Sequence, residues 1–180
     1  MHLSWLFLIL ALPVAGIGLY AYRRDFRLHG RSTLAGLGLY LFGWLLFHCA
    51  LGFSFPMTFV PKTAVQYVGV GLMILGLGAA MFATANFRSM RIAFGRDPSR
   101  LVRTGFYRFS RNPQYVFYAL FLLGYAMMGR SVTAYLVVAI FCVVLHLTVL
   151  AEEEHLERVF GDEYREFRKA TPRYLLIGRG

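Results

Sequence analysis

The sequence predicts an all-α, multi-pass membrane protein with five transmembrane helices, the last two forming a helical hairpin that is followed by an amphipathic cytoplasmic tail. Apolar residue types make up 58% of the 180 residues, and the mean hydropathy is +0.55. Only 16% of the residues are charged, which is too few to cover so much apolar surface in a soluble protein of this size. This composition excludes a disordered chain, a disulfide scaffold and a soluble nucleic-acid-binding protein.

A helix needs roughly 20 mostly apolar residues to cross a bilayer. Four stretches without a charge come close to or exceed this length: 3–22, 34–53, 64–87 and 131–151. A fifth stretch, 114–129, is shorter and follows Pro113, a favoured first residue of a helix. The turn 129–131 then predicts a hairpin of the last two spans. A cleaved signal peptide is the alternative for residues 1–22, but the basic residues follow this stretch instead of preceding it.

The distribution of basic residues predicts the orientation in the membrane. Five spans place 17 of the 19 Lys and Arg residues on one side and leave Lys62 and Arg130 on the other. Because basic loops remain in the cytoplasm, we expect the N-terminus outside and the C-terminus in the cytoplasm. The net charge of +10 then faces anionic lipid headgroups and does not indicate nucleic-acid binding. The short chain is typical of a bacterial or archaeal plasma-membrane protein.

Residues 1–85 are expected to form a three-helix membrane scaffold. Span 3 carries Gly76, Ala80 and Thr84 at four-residue intervals, a pattern typical of helices that approach closely in lipid. The two cysteines each lie within a predicted span and are expected to pack as small apolar residues. Without a C-x-x-C motif, the sequence predicts neither a metal site nor a redox pair.

Two polar segments, 86–113 and 152–174, flank the predicted hairpin on the cytoplasmic side, so its mouth brings them together. The second segment predicts an amphipathic helix interrupted at Gly161. Arginines and carboxylates that meet where a hairpin enters the bilayer can bind a zwitterionic ligand, because ionisable groups at this depth are costly unless they are paired or face a wet cavity. Equally, Arg111 and the glutamates can cap helices and pair with one another.

The residues in these segments form two motifs. The first comprises Gly105, Tyr107, Arg111, Asn112, Pro113 and Tyr115, and the second Glu152, Glu153, Leu156, Phe160, Gly161 and Tyr164. Together they resemble the integral-membrane methyltransferases, a family of isoprenylcysteine carboxyl methyltransferases and their bacterial and phospholipid-methylating relatives. The resemblance covers residues 86–174, about half of the chain. Arg91 also begins a stretch that is similar to the Trp-Arg-Ile-Gly of bacterial members.

The resemblance implies that residues 86–180 are a methyltransferase module that uses S-adenosylmethionine as the methyl donor. Residues at matching positions would line the cofactor pocket: Gly105, Tyr107, Arg111, Asn112, Pro113, Tyr115, Glu152 and Glu153. The candidate catalytic residues are Arg111, Glu153 and Arg91. Many members have His where this chain has Asn112, which cannot act as a titrating base.

The acceptor is expected to be lipophilic, and its reacting group stays open between an isoprenylcysteine-type carboxylate and a phospholipid amine. A carboxylate needs only an arginine to hold it, for which Arg91, Arg111 and Arg173 are candidates. An amine must first lose a proton, and the acidic residues with His155 at 152–155 are candidate bases. Two alternatives remain: a non-catalytic membrane scaffold or small transporter, and an NADPH-dependent enzyme related to the sterol reductases, which need about ten spans.

Overall fold

The computed structural model describes residues 2–54, 60–87, 92, 94–97 and 99–174. This part of the chain contains helices and no strands, which confirms the all-α prediction. Six α-helices and one 3₁₀ helix follow in order: α1 (His2–His29), α2 (Leu34–Gly52), α3 (Ala64–Ala85), the 3₁₀ helix (Gly105–Arg108), α4 (Pro113–Gly129), α5 (Val132–Phe160) and α6 (Asp162–Ala170).

Four of these helices, α1, α2, α3 and α5, are long and apolar enough to cross a membrane. The protein is therefore an integral membrane protein. Helix α4 begins at Pro113, as predicted, and has 17 residues. The backbone turns at Arg130, which has a φ of 49°, and the chain continues into α5. The hairpin of α4 and α5 is thus present, whereas a fifth crossing by α4 stays a prediction.

The helices approach most closely at glycines, which lack the Cβ atom that would separate two backbones. A Cβ atom on Gly76 of α3 would lie 2.6 Å from the backbone nitrogen of Phe121 in α4. A Cβ atom on Gly43 of α2 would lie 2.9 Å from the Cα atom of Ala15 in α1. The bundle therefore contains two closely packed helix pairs, α1 with α2 and α3 with α4.

Helix α5 contacts both pairs and extends beyond them at one end. Its 29 residues give it a length of about 43 Å, which exceeds the roughly 30 Å of a bilayer's hydrocarbon core. In its last turns Glu154 pairs with Arg23 and Arg27 of α1, at 2.5 and 2.9 Å, and with Arg158, at 2.5 Å. We refer to this end of the molecule, where α1 ends and α5 projects, as the basic end.

The tail folds back over the basic end. Gly161, with a φ of 52°, ends α5 and starts α6, at the interruption predicted from the sequence. Tyr164 and Phe167 of α6 are buried against Val102 and Tyr107. After α6 the chain passes across the start of α4, where the backbone nitrogen of Arg111 donates to the carbonyl of residue 172 at 2.9 Å. The two polar segments are therefore joined at the mouth of the hairpin.

Candidate active site

Two adjoining cavities, which we call the polar cleft and the aromatic cavity, lie in the helix bundle. The polar cleft is at the basic end, and the aromatic cavity is deeper in the bundle. With the open solvent at their mouths included, the polar cleft contains about 680 Å³ and the aromatic cavity about 730 Å³. Four residues line both of them: Tyr22, Phe87, Gln114 and Glu152. A ligand in the cleft and a second ligand in the cavity would therefore meet beside these four side chains, which we call the junction.

The polar cleft lies between the end of α1, the loop that precedes α4 and the last turns of α5. Its charged lining residues include Asp97, Arg100 and Arg111, and its outer wall is apolar at Leu156 and Phe160. Burial raises the pKa of Tyr107, so this phenol keeps its hydrogen and donates to Gln114 Oε1. The cleft thus combines polar groups of both charges with an apolar wall.

The aromatic cavity lies between α2 and the pair formed by α3 and α4. It is bordered by rings that include Tyr40, Trp44 and Tyr118, and by the small side chains of Ala80 and Thr84 on α3. The Trp44 and Tyr118 rings are stacked with centroids 5.3 Å apart. The stripe of small residues on α3 is predicted to pack against another helix. Gly76 does so against α4, whereas Ala80 and Thr84 border the aromatic cavity.

Glu152 lies at the junction. Its Oε1 atom accepts a hydrogen bond from Tyr115 at 2.6 Å and one from Tyr22 at 3.4 Å. Within the described residues it forms no ion pair, and no other residue that lines the aromatic cavity carries a charge at neutral pH. An ionised Glu152 would therefore place an uncompensated negative charge between the two cavities, oriented by two phenols.

Glu153, the next residue, has a different environment. It is 7% exposed and accepts a hydrogen bond from Asn112 Nδ2 at 3.0 Å. Its carboxylate also pairs with Arg111 at 3.4 Å and with Arg173 at 3.0 Å. Glu153 therefore links the start of α4 to the tail. It lines neither of the two cavities.

Arg111 connects the network around Glu153 to the polar cleft, which its side chain lines. The side chain is 7% exposed, and its Nη1 atom donates to the Tyr164 hydroxyl at 3.3 Å. Burial also raises the pKa of Tyr164, which keeps this phenol neutral beside the guanidinium. Among the described residues, Arg111 Nε has no hydrogen-bond partner although it is buried, so one donor is left for a ligand in the cleft.

The structure brings most of the predicted site residues to the two cavities. Tyr107, Arg111, Asn112 and Glu152 line the polar cleft, and Tyr115 and Glu152 line the aromatic cavity. Three predicted residues that the structure describes line neither: Gly105, Pro113 and Glu153. Pro113 is buried as the first residue of α4, and Gly105 has a φ of 62° at the start of the 3₁₀ helix. Arg91 lies outside the described residues.

Several side chains that line the cavities come from helices predicted as scaffold. Tyr22 and Phe26 from α1 line the polar cleft, and Tyr40 and Trp44 from α2 line the aromatic cavity. Each pair is spaced by four residues, which is a helical period, but nothing in the sequence relates α1 to the motif at Glu152, 130 positions away. The division at residue 85 into scaffold and module stays a prediction.

Across the described ranges, no group of three or more His, Cys, Asp and Glu side chains is placed to hold a metal ion.

Comparison with known proteins gives the following similarities. A model of the phospholipid methyltransferase family matches residues 65–163. A protein-S-isoprenylcysteine O-methyltransferase of Schizosaccharomyces pombe is 29% identical over 124 residues, which are 66% of this chain and 52% of the relative. The chain thus spans about half the length of this curated relative. No solved structure matches it.

Proposed function

The chain belongs to the phospholipid methyltransferase family, and on that premise we propose that it transfers a methyl group from S-adenosylmethionine to a lipophilic acceptor at the junction. The observation that carries the proposal is that Glu152 lines both cavities. One cavity suits a polar, zwitterionic ligand, and the other, which is lined by aromatic rings, suits the head of a lipid. A single carboxylate is available to both where they meet.

The polar cleft fits the methyl donor. Arg111 Nε is a buried donor without a partner in the described chain, and Asp97 and Arg100 offer a carboxylate and a guanidinium. Oppositely charged groups of this kind bind the carboxylate and the ammonium of an amino acid through charge-assisted hydrogen bonds. The apolar wall at Leu156 and Phe160 suits a purine base. When bound, S-adenosylmethionine supplies a methyl group on a positively charged sulfonium.

The aromatic cavity fits the head of a lipid acceptor. Leu41, which lines it, is 39% exposed on the surface of α2, and Ala80 and Thr84 on α3 leave space beside it. Lipid chains can therefore remain in the bilayer between α2 and α3 while the reactive head reaches the junction. With both ligands bound, the walls of the two cavities would align donor and acceptor and limit the access of water, which are the main requirements of a displacement at a methyl group.

An ionised Glu152 favours an amine acceptor. A lipid ammonium would be attracted by this carboxylate, in a cavity lined by the aromatic side chains of Tyr22, Tyr40 and Trp44. Glu152 can then accept one proton from the ammonium, which leaves a neutral amine with a free electron pair to bond the methyl carbon. Transfer of the methyl carbon to this amine would form a carbon–nitrogen bond and leave the electron pair of the broken carbon–sulfur bond on the donor's sulfur.

A carboxylate is the second candidate acceptor, because the relative from S. pombe is named as an isoprenylcysteine O-methyltransferase. Such an acceptor would need a cation beside it. Arg111 lines the polar cleft but already pairs with Glu153. A carboxylate acceptor would also face the charge of Glu152 at the junction, so the electrostatics support the amine.

Calorimetric titration of the detergent-purified protein tests the donor. We expect S-adenosylmethionine to bind with micromolar affinity and NADPH not to bind. Arg111→Ala should abolish donor binding, whereas Arg158→Ala, which removes an exposed arginine paired with Glu154, should leave it unchanged. Binding of NADPH alone would favour the reductase alternative, and binding of neither nucleotide would favour the scaffold or transporter.

A further inference from the structure

His155 is a buried polar side chain on the wall of the polar cleft, and neither of the two sequence motifs includes it. It is 4% exposed, and its ring stacks on Phe26 with centroids 4.0 Å apart and planes 4° apart. In the described part of the chain, neither Nδ1 nor Nε2 has a hydrogen-bond partner. Because buried polar groups in native proteins are nearly always paired, the two nitrogens indicate a partner that the described part of the chain does not supply.

The position of His155 relative to Glu152 indicates which part of a ligand it would meet. His155 follows Glu152 by three residues, so it lies on nearly the same face of α5. It is about 4.5 Å further along the helix axis, away from the junction. Leu156 and Phe160 continue this wall of the cleft outward. A donor whose methyl group is at the junction would extend past His155 toward this apolar wall.

The chemistry of the ring favours an uncharged partner. A neutral imidazole offers one hydrogen-bond donor and one acceptor, which complement the hydroxyl groups of a ribose or the edge of a purine. The charged groups of the amino-acid part have better partners in Asp97, Arg100 and Arg111, which line the same cleft. The contact with Phe26 fixes the plane of the ring.

We propose that His155 binds the nucleoside part of the methyl donor through its ring nitrogens, as a specificity-determining residue outside the two motifs. This inference rests on the proposed use of S-adenosylmethionine. It assigns α1 a part in donor binding as well, because Phe26 holds the His155 ring in place.

The test compares two probes on the full-length protein by calorimetry: S-adenosylhomocysteine, and 5′-methylthioadenosine, which lacks the amino-acid arm. His155→Phe keeps a ring that can stack on Phe26 but removes both nitrogens. We expect about tenfold weaker binding of both probes, as for the loss of one or two hydrogen bonds. The thermal stability of the ligand-free protein should be unchanged or higher, because two unpaired buried polar atoms are removed.

His29→Phe, at an exposed position at the end of α1, is the matched control and should bind both probes like the wild type.

The outcomes separate this inference from the proposed function. If the wild-type protein binds neither probe, the proposed donor is wrong. If it binds both and His155→Phe binds both equally well, the role of His155 is refuted. If the substitution weakens only S-adenosylhomocysteine, the ring contacts the amino-acid arm and the assignment to the nucleoside is overturned.

Discussion

Substitution of two adjacent glutamates by glutamine should affect different properties, activity in one case and stability in the other. Glu152 lies at the junction and accepts hydrogen bonds from two phenols. Glu153 is paired with Arg111 and Arg173 and bonded to Asn112. Changing either to Gln keeps the shape and removes the charge. We therefore expect Glu152→Gln to reduce methyl transfer and Glu153→Gln to reduce stability.

The magnitudes follow from the two environments. An amide at position 152 still accepts from Tyr115 and Tyr22, so the free energy of unfolding should change by less than about 1 kcal/mol. Loss of a general base lowers the rate by about 10²–10⁴-fold. An amide at position 153 leaves the Arg111 guanidinium, whose side chain is 7% exposed, without its carboxylate. Removing one partner of a buried ion pair costs about 3 kcal/mol or more.

The assay combines two measurements on each variant in lipid nanodiscs: transfer of labelled methyl groups into the lipid fraction, and the midpoint of thermal unfolding. With an amine acceptor, the deficit of Glu152→Gln should also shrink at alkaline pH, where the amine loses its proton without help. Methyl transfer at the wild-type rate by Glu152→Gln would contradict the role of Glu152 as the base. Loss of activity by Glu153→Gln at an unchanged unfolding midpoint would contradict its role in joining the tail to the start of α4.

Three further predictions concern the cleft, the cavity and the helix packing. Arg111→Lys should weaken S-adenosylmethionine binding at least tenfold in calorimetry, because lysine cannot replace the guanidinium fork; unchanged affinity would contradict its placement in the cleft. Ala80→Phe should fill the aromatic cavity and raise the KM for the lipid acceptor at least tenfold with unchanged donor binding, whereas Met81→Phe on the exposed face of α3 should change neither. Gly76→Ala should lower the unfolding midpoint, because overpacking against α4 costs about 1–3 kcal/mol. Gly78→Ala is the control, because Gly78 has open space around it, and it should leave the midpoint unchanged. Equal midpoints for the two variants would contradict the close contact between α3 and α4 at Gly76.

Much of the fold could be predicted from local patterns. Stretches of apolar residues give the long helices, Pro113 marks the start of α4, and Gly161 separates α5 from α6. These features depend on the residue itself and its immediate neighbours, since a proline lacks the N–H group and a glycine adopts a positive φ without strain. The crossing of α4 differs, because 17 residues lie near the length limit, and length alone does not decide it.

The site was less predictable because it depends on how the helices are arranged. The motifs indicate the importance of Glu152 and Glu153 but do not distinguish them, although adjacent residues on a helix point about 100° apart. Only the packing shows that Glu152 is directed to the cavities and Glu153 to the tail. The contribution of Tyr22 depends likewise on α1 lying against α5, a contact between residues 130 positions apart.

Methyl transfer in a bilayer shows whether Glu152 serves as the base for an amine lipid at the junction. The purified protein in nanodiscs that contain an amine lipid would be incubated with S-adenosylmethionine labelled in its methyl group, and the lipids would then be extracted and counted. We predict label on the amine lipid, and a loss of at least a hundredfold with Glu152→Gln. Two results would contradict the assignment of Glu152 as the base for an amine acceptor. One is donor binding without transfer of label to the amine lipid, and the other is transfer only to a carboxylated prenyl lipid.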